Sequence, residues 1–497
     1  MKVILPIIIP LIGALLSIAL VHKPMVSRWI GVLASLATLM ASAILMVSVD
    51  TQGIHVLHSG GWQAPFGISL VADRLGAVMV AVSSLVAFCA SIYAFKDIPN
   101  QLVKKHFIAL VLFLLMGVNG AYLTGDLFNL YVWFEVLLSA SFVLLVLGSG
   151  HQQFKGSLKY VVLNLLGSTL FLIGAGLLYS KVGTLNMADL AFKLSSHEQS
   201  DLVNSSGILL LLAFGLKAGV FPLFFWLPSS YPTAPYTVSA LFAGLLTKVG
   251  IYAIIRSMTL FLSGAQDDLQ TLLITVALLT MVLGVLGAVA QGHIRQILSF
   301  HIISQVGYIL AGVALFTVAG LAGAIFYLVH HIIVKSNLFF IAGMIERQRG
   351  SDDLYKTGRL RKMAPVLSVL FFISGFSLAG LPLLSGFWAK LAVLKAGLEE
   401  GAWLLSAGVV LVGIITLLSM LKIWIGSFWE GSRPSPTGDP IKATPLPLSM
   451  VLPSILLGAI TLGLGLVGGD LYSYSIRAAE DLIEPMTIIQ AVLGESP

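Results

Sequence analysis

The chain consists largely of apolar runs, each about as long as a lipid bilayer is thick. Hydrophobic residues make up 58% of the 497 residues and charged residues only 10%, which excludes a soluble globular protein. A helix needs roughly 20 consecutive apolar residues to cross the hydrocarbon layer, and by this criterion we count about fourteen spans. The sequence therefore predicts an all-α polytopic membrane protein.

Lysine and arginine residues are concentrated in alternate loops between these runs. The third loop carries Lys96, Lys104 and Lys105, and the eleventh carries six cations between residues 347 and 362. The intervening loops hold acidic residues such as Asp50, with few cations. Because cations near the ends of spans stay on the cytoplasmic side, we predict that both termini face outward. The net charge of +6 reflects this orientation, and no basic face for nucleic acid remains.

Three segments and one cysteine limit the architecture further. Residues 3–21 fit either a signal peptide or the first span; we predict a span, because no A-x-A cleavage site follows and the run is long enough. Residues 181–203 fit a short amphipathic helix in the interface or a solvated loop, and the Pro-rich stretch 427–448 is predicted to be a cytoplasmic connection. Cys89 is the single cysteine, so an intrachain disulfide and a cysteine-ligated iron–sulfur cluster are excluded.

The most informative stretch is FGLKAGVFPLFFWLPSSYPTAPYTVSALFAGLLTKVGIYAIIR, residues 214–256. Two apolar runs each hold one lysine near the middle, Lys217 and Lys248. A buried ammonium costs about 2.5–3.5 kcal/mol on insertion scales, so these lysines should face the protein interior or a wet cavity. Pro222 removes a backbone hydrogen bond shortly after Lys217 and is predicted to break the helix, as in transporters.

A second interrupted run, FSLAGLPLLSGFWAK near residue 376, resembles the first. It contains Pro382 and a deep lysine, Lys390, which follows a predicted break at Gly386. Interrupted spans at matching places in two halves of a chain indicate a transport path between structural repeats. Two kinked helices without symmetry would give the same pattern, so both interpretations stay open here.

Other spans carry further titratable side chains. Glu135 lies deep in DLFNLYVWFEVLLSASFVLLVL, where a carboxylate needs a nearby cation to stay ionised. In AIFYLVHHIIVKSNLFFIAG, His331 and Lys335 are four residues apart and share one helix face, whereas His330 points about 100° away and is the weaker candidate. No i, i+4 histidine pair or HExxH motif occurs, so we predict no metal site.

These side chains form a row of one acid and several bases at membrane depth. Such rows mark proton pathways in pumps and transporters, whereas a static ion pair that locks two helices explains one pair better than a series. Our hypothesis is that proton uptake near the acid loosens its pairing with the first lysine, and that the change passes along the row. The predicted functional residues are Glu135, Lys217, Lys248, His331, Lys335 and Lys390, with His330, Pro222 and Pro382 as secondary candidates.

The motifs GDLFNLYVWFEVLL, HHIIVKSNLFF and the 214–256 stretch resemble those of the antiporter-like subunits shared by respiratory complex I and the Mrp-type multisubunit Na⁺/H⁺ antiporters. Within that family, SYPTAP and ALFAGLLTKVG are most similar to the D-type subunits of Mrp antiporters. The resemblance covers nearly the whole chain.

The resemblance implies fourteen helices, with two inverted five-helix repeats and broken helices in spans seven and twelve. The corresponding segments are 1–106 (the first three helices), 107–261 (first repeat), 270–426 (second repeat) and 427–497 (cytoplasmic loop, last helix and tail). It also implies an essential pair at Glu135 and Lys217, a central Lys248, a His331–Lys335 helix and a terminal Lys390.

The expected partners are the other Mrp subunits, protons, Na⁺ or another monovalent cation, and the bacterial inner membrane, with no bound cofactor and no enzyme activity. Three function classes are consistent with the sequence. One is a secondary transporter subunit that exchanges protons for sodium. The second is a proton-pumping subunit of complex I or a membrane-bound hydrogenase. The third is an assembly scaffold whose buried charges only fix helix packing.

Overall fold

The computed structural model describes residues 1–148, 150–195, 201–262, 266–429 and 445–494. These residues are mostly helical, with one two-stranded antiparallel hairpin, β1 (His55–His58) and β2 (Ser69–Ala72). The helices of the first half are α1 (Leu5–Ala19), α2 (Pro24–Gln52), α3 (Arg74–Asp97), α4 (Asn100–Val103), α5 (Phe107–Leu123), α6 (Leu127–Val146), α7 (His151–Val182), α8 (Met187–Ser195), α9 (Asp201–Ala218), α10 (Trp226–Ser230) and α11 (Tyr236–Leu241).

The second half continues the bundle and ends in short helices. Its helices are α12 (Thr247–Leu260), α13 (Gln266–Ala290), α14 (Ile294–Ala314), α15 (Val318–Arg349), α16 (Leu360–Met363), α17 (Pro365–Ala379), α18 (Ser385–Glu399), α19 (Trp403–Trp424), α20 (Leu448–Leu466), α21 (Gly469–Ile483) and α22 (Met486–Leu493). A π-helical segment, Phe242–Leu246, joins α11 to α12 without a break. Most of the Pro-rich stretch predicted to be a cytoplasmic connection lies outside the described residues.

The apolar runs form helices, as predicted. Within the described residues, ten helices are long and apolar enough to cross a membrane, and four shorter apolar helices, α1, α5, α9 and α17, accompany them. The first run forms α1, which packs against α2 and α5 as part of the bundle. The mostly helical membrane fold is therefore confirmed, the short hairpin was not predicted, and the number of fourteen crossings stays a prediction.

Two helices are broken near the predicted prolines. α9 ends at Ala218 and α10 begins at Trp226, so Pro222 lies in the gap; α17 ends at Ala379 and α18 begins at Ser385, so Pro382 lies in the second gap. The break predicted at Gly386 was misplaced, because this glycine lies inside the first turn of α18. The chain turns instead at Gly380, whose φ of 92° suits a residue without a Cβ atom.

The hairpin marks one end of the bundle, and both ends of the described chain lie there. Lys2 Nζ donates to Ser48 Oγ over 2.9 Å, and Arg477 pairs with Asp50 at 3.0 Å. Helix α22 packs against β1 and α8. The segment for which a helix and a solvated loop were both considered is thus partly helical, with Met187–Ala191 of α8 buried against the protein.

The opposite end of the bundle carries the basic loops. Arg28 Nη2 donates to the Ile98 carbonyl over 2.5 Å, and Arg295 pairs with Glu346 at 2.6 Å. The first contact joins the start of α2 to the end of α3, and the second joins the start of α14 to the end of α15. The start of α11 and the segment before it link the two pairs, because Thr237 bonds Asp97 and the Ala234 carbonyl accepts from Arg295. The alternation of charge along the sequence therefore corresponds to two ends of one bundle.

Helix α15 is the central element of the second half. It runs for 32 residues and is buried from Gly320 to Ile345, because it packs against α3, α11, α14, α17, α18, α20 and α21. Asn337 fixes it in place: its Nδ2 donates to Ser374 Oγ over 2.8 Å, and its Oδ1 accepts from Ser454 Oγ over 2.6 Å. The helix that carries the paired histidines is thus held by side-chain hydrogen bonds to α17 and α20.

One buried ion pair was missed by the sequence analysis. The Arg256 guanidinium bonds the Asp73 carboxylate, and Arg256 Nε also donates to the Tyr252 hydroxyl over 2.9 Å. The same carboxylate oxygen, Oδ1, accepts from Gly76 N as well, so Asp73 caps α3. Both side chains are almost fully buried. Because a buried charge that loses a hydrogen-bond partner is strongly destabilising, the pair stabilises the junction of α3 and α12 only while every donor is in place.

We expect Arg256→Lys to lower the thermal midpoint of the purified protein by several degrees. Lysine keeps the charge but cannot donate to Asp73 and Tyr252 at once through a planar fork. The measurement is thermal unfolding followed by tryptophan fluorescence. Arg477→Lys is the control, because the Arg477 side chain is 42% exposed where it pairs with Asp50. An exposed pair of this kind contributes about 0–1 kcal/mol to stability. Equal shifts for the two variants would contradict the prediction.

Candidate functional site

Glu135 and Lys217 lie on neighbouring helices, but a serine stands between them. Ser168 Oγ donates to Glu135 Oε1 over 2.5 Å and accepts from Lys217 Nζ over 3.1 Å. Glu135 belongs to α6, Ser168 to α7 and Lys217 to α9. The predicted pair is thus brought together through a hydroxyl, and among the described ion pairs no direct one joins the two residues.

Three phenyl rings lie beside this hydrogen-bonded triad. Phe134 precedes Glu135, Phe171 lies one turn after Ser168, and Phe214 lies one turn before Lys217. The ring centroids of Phe171 and Phe214 are 4.9 Å apart, and those of Phe134 and Phe171 are 5.9 Å apart. Lys217 Nζ lies 4.9 Å from the Phe134 centroid, so the ammonium gains a cation–π contact on the apolar side. Each of the three helices therefore contributes one polar group and one ring.

The break after α9 has its freed backbone groups satisfied locally. Trp226 Nε1 donates to the Leu216 carbonyl over 3.0 Å, and Thr280 Oγ1 accepts from the Phe221 amide over 2.9 Å. A broken helix is tolerated at this depth only when such partners exist. The break ends α9 one residue after Lys217, so the ammonium lies at the C-terminus of a helix, where the dipole favours a cation.

Lys248 lies at the join of the π-helical segment and α12. Its ammonium donates to the Ala243 carbonyl and to Thr247 Oγ1, the latter over 3.1 Å, and the residue is fully buried. A π-helical segment inside a longer helix often marks a functional site. Here it places a carbonyl within reach of an ammonium that has no carboxylate partner among its described hydrogen bonds.

His331 and Lys335 are buried on α15, as predicted, next to a histidine that the sequence analysis missed. His331 lies within electrostatic range of Lys248, Lys335 and His301, and neither of its ring nitrogens has a hydrogen-bond partner in the described part of the chain. Lys335 Nζ donates to the Leu298 carbonyl of α14 over 2.9 Å. His301, also on α14, bonds Ser419 Oγ over 2.8 Å through Nε2 and leaves Nδ1 unpaired among the described residues.

His330 has a more specific environment than the sequence suggested. Its Nδ1 lies 2.8 Å from Ser385 Oγ, which lies 3.0 Å from Ser377 Oγ. Ser377 is in the last turn of α17 and Ser385 begins α18, so His330 bonds the second break directly. His330 stays a secondary candidate, and the face of α15 on which it lies is the one that meets the second break.

Lys390 lies on α18 beside the same break. Its Nζ donates to the Ala379 carbonyl over 2.8 Å and lies 5.1 Å from the Tyr308 ring centroid. A cavity of about 330 Å³ opens next to it, lined by Pro382, Gly413 and apolar residues of α18 and α19. Lys217 thus lies on the helix before the first break and Lys390 on the helix after the second. Their partners also differ, a side-chain hydroxyl for Lys217 and a backbone carbonyl for Lys390.

The predicted residues lie on α6, α9, α12, α15 and α18, which pack in one bundle. They fall into three groups: the triad of Glu135, Ser168 and Lys217, which hydrogen bonds join; a central group near His331 without hydrogen bonds between its members among the described contacts; and the break group of His330 and Lys390, which bond opposite sides of the second break. Ser168 and His301 were missed. His301 met the criterion of a titratable residue inside an apolar span, whereas nothing in the sequence distinguishes Ser168 from the many other serines of the spans.

Comparisons with known proteins identify the family of this chain. The family model described as "NADH:quinone oxidoreductase/Mrp antiporter, TM" matches residues 124–416. The chain belongs to this family. The matched region includes every predicted site residue, from Glu135 to Lys390.

Individual relatives of this antiporter-family chain match it from end to end. The D-type Na⁺/H⁺ antiporter subunit of Alkalihalophilus pseudofirmus is 45% identical over 494 residues, 99% of each chain. A chain in the structure of the Mrp complex from Dietzia sp. DQ12-45-1b superposes with a TM-score of 0.92 at 35% sequence identity. A chain of an archaeal membrane-bound sulfane sulfur reductase superposes with a TM-score of 0.91 at 28% identity. Each match covers 99% of both chains. The resemblance inferred from the motifs is thus confirmed.

Proposed function

We propose that this chain is the D-type subunit of a multisubunit Na⁺/H⁺ antiporter and that it carries the proton path of the complex. The observation that supports this most strongly is the 45% identity, over 99% of both chains, to a protein named as the D-type subunit of a Na⁺/H⁺ antiporter. Its partners are the other subunits of that complex. The activity is ion exchange under an existing gradient, so the chain is not itself an enzyme.

The proposed path runs along the buried bases. Glu135 and Lys217 form its first group, Lys248, His331 and Lys335 the central group, and Lys390 the last. Among the described contacts, each base is held by a neutral acceptor or by none, so a proton can leave it without breaking a direct ion pair. The breaks at Pro222 and Pro382 supply bendable joints beside the first and last lysine.

The proposed repeats and orientation follow the sequence analysis. Residues 107–261 and 270–426 are the two inverted repeats, each with one broken helix. The end of the bundle with the basic loops faces the cytoplasm, and the hairpin end, with both termini, faces outward. The protein resides in the bacterial inner membrane.

Transport by the native assembly tests this function. The complex is purified with its co-purifying subunits, placed in proteoliposomes, and monitored with a pH-sensitive dye after addition of Na⁺, K⁺ or choline chloride. We expect Na⁺ to drive proton movement, choline to drive none, and this chain alone to give little exchange. No cation-dependent proton movement by the intact assembly would contradict the proposal.

A second function is favoured by one observation, the 0.91 superposition on a chain of a respiratory sulfur reductase complex. In that case electron transfer in other subunits would drive the same path. The native assembly would then contain flavin or iron–sulfur clusters and move protons when given a reductant. Optical and EPR spectra of the purified complex separate the two cases, and the lysine substitution discussed below separates both from a scaffold role.

A further inference from the structure

The hydroxyl of Ser168 lies between an ammonium and a carboxylate, and chemistry fixes its orientation. An ammonium can only donate hydrogen bonds, and an ionised carboxylate can only accept them. Ser168 Oγ must therefore accept from Lys217 Nζ, at 3.1 Å, and donate to Glu135 Oε1, at 2.5 Å. The two hydrogen bonds therefore form a chain in which donation runs from Lys217 through Ser168 to Glu135.

No shorter route joins the two charged groups in the described structure. The three phenyl rings of Phe134, Phe171 and Phe214 pack against one another on the side of Lys217. Ser168 and Lys217 are 5% and 4% exposed, whereas Glu135 is only partly buried. Another titratable group close to Glu135 is Tyr131, one turn earlier on α6. The Ser168 hydroxyl is thus the polar group that connects Lys217 with Glu135, and the rings next to it are apolar.

We propose that Ser168 is a proton-relaying residue between Lys217 and Glu135, and that exchange requires its hydroxyl. This inference rests on the proposed proton path and adds a member to it. In the step, Lys217 Nζ transfers a proton to Ser168 Oγ while the hydroxyl proton of Ser168 moves to Glu135 Oε1. The ammonium becomes an amine, the carboxylate becomes a carboxylic acid, and the serine keeps one proton, so proton number and charge balance.

The inference explains why a serine, rather than direct contact, joins the pair. A direct buried ion pair is held by strong attraction at low dielectric and resists separation. A hydroxyl between the charges keeps them connected while weakening that attraction. Rotation of the hydroxyl about the Cβ–Oγ bond then resets the chain for the next proton.

Three substitutions of the assembled complex separate the hydroxyl from the shape of the side chain. We expect Ser168→Ala and Ser168→Val to lower Na⁺-driven proton exchange at least about 100-fold, whereas Ser168→Thr retains exchange within about threefold. Threonine and valine have nearly the same shape, so their difference reports the hydroxyl alone. In S168T the pH profile of exchange also keeps its wild-type midpoint.

The matched control is Ser157→Ala on the same helix. Ser157 is buried, but its hydroxyl donates to the carbonyl of Gln153 within α7, so its removal should leave exchange unchanged. Wild-type exchange by S168V, or equal loss in S168T and S168V, would overturn the inference while leaving the antiporter function intact.

Infrared difference spectroscopy tests the same contact without transport. The acid–base difference spectrum of the complex should contain a C=O band of protonated Glu135, identified by its loss in Glu135→Gln. We expect the band to move to higher wavenumber in S168V, where its hydrogen-bond partner is gone, and to stay in place in S168T. An unmoved band in S168V would overturn the inference even if the complex proved not to exchange sodium.

Discussion

Replacing Lys217 by methionine is expected to lower Na⁺-driven proton exchange by the assembled complex at least about 100-fold, the scale of a lost acid–base group. Methionine fills nearly the same space without a titratable nitrogen. The triad then keeps its carboxylate and hydroxyl but loses the ammonium that supplies the proton passed through Ser168 to Glu135. The measurement is dye-monitored exchange in proteoliposomes, normalised to the amount of complex.

The same variant should assemble normally. A buried ammonium costs about 2.5–3.5 kcal/mol, and Lys217 recovers this through a neutral hydroxyl, a ring face, the end of α9 and the Glu135 carboxylate on the far side of the hydroxyl. Losing the charge therefore removes the desolvation cost of the ammonium together with the contacts that offset it. Lys395→Met is the control, because Lys395 lies on a broken-span helix but is 69% exposed and pairs weakly with Glu399 at 3.6 Å. Exchange within twofold of wild type in K217M would remove Lys217 from the path.

The features of the fold that the sequence predicted are those that local physics determines. Bilayer thickness sets the length of apolar runs, so the helical membrane class follows from composition and run length. Pro222 and Pro382 lie in the two gaps because a proline ring removes a backbone donor, although Pro10 and Pro453 stand inside α1 and α20 without ending them. The buried lysines were identified because their burial is costly in every fold.

The features that the sequence could not predict depend on which helices meet. Ser168 contacts both Glu135 and Lys217 only because α7 lies between α6 and α9, and a serine in an apolar run gives no sign of such contacts. Asp73 and Arg256 are 183 residues apart and each lies near the end of a run, where a charge is ordinary. His330 was ranked below His331 because a lone histidine that faces packed neighbours is usually structural, and its contact with Ser385 depends on where α18 packs.

The two breaks show how similar sequence patterns give different chemistry. At the first, Lys217 contacts a side chain that can relay a proton. At the second, Lys390 contacts the Ala379 carbonyl, which cannot, and lies beside a cavity. On the proposed path, Lys390 would therefore need water in the cavity to receive or release a proton. The two lysines would then be different kinds of terminal group on that path.

The second break also depends on close backbone packing at Gly386. A Cβ atom on this residue would lie 1.8 Å from the carbonyl oxygen of Ser377 and 2.9 Å from His330 Cε1. The first neighbour is a backbone atom in the last turn of α17, so no side-chain rotation can relieve the overlap. A substitution must push α18 away from α17 and separate the hydrogen bonds that join His330, Ser385 and Ser377.

We therefore expect Gly386→Ala to remove most of the folded protein from the membrane, at a cost of about 3 kcal/mol or more, the upper range for overpacking. Fluorescence-detected size-exclusion chromatography of solubilised membranes measures the amount of intact complex. Gly463→Ala is the matched control: Gly463 lies within α20 with nothing within 4 Å of its Cβ position, and alanine favours a helix by up to about 1 kcal/mol. Because both variants add the same methyl group to a helix, only the contact with Ser377 distinguishes them. Wild-type amounts of G386A would mean that α17 and α18 are not packed this closely, and the hydrogen-bonded break group around His330 would lose its support.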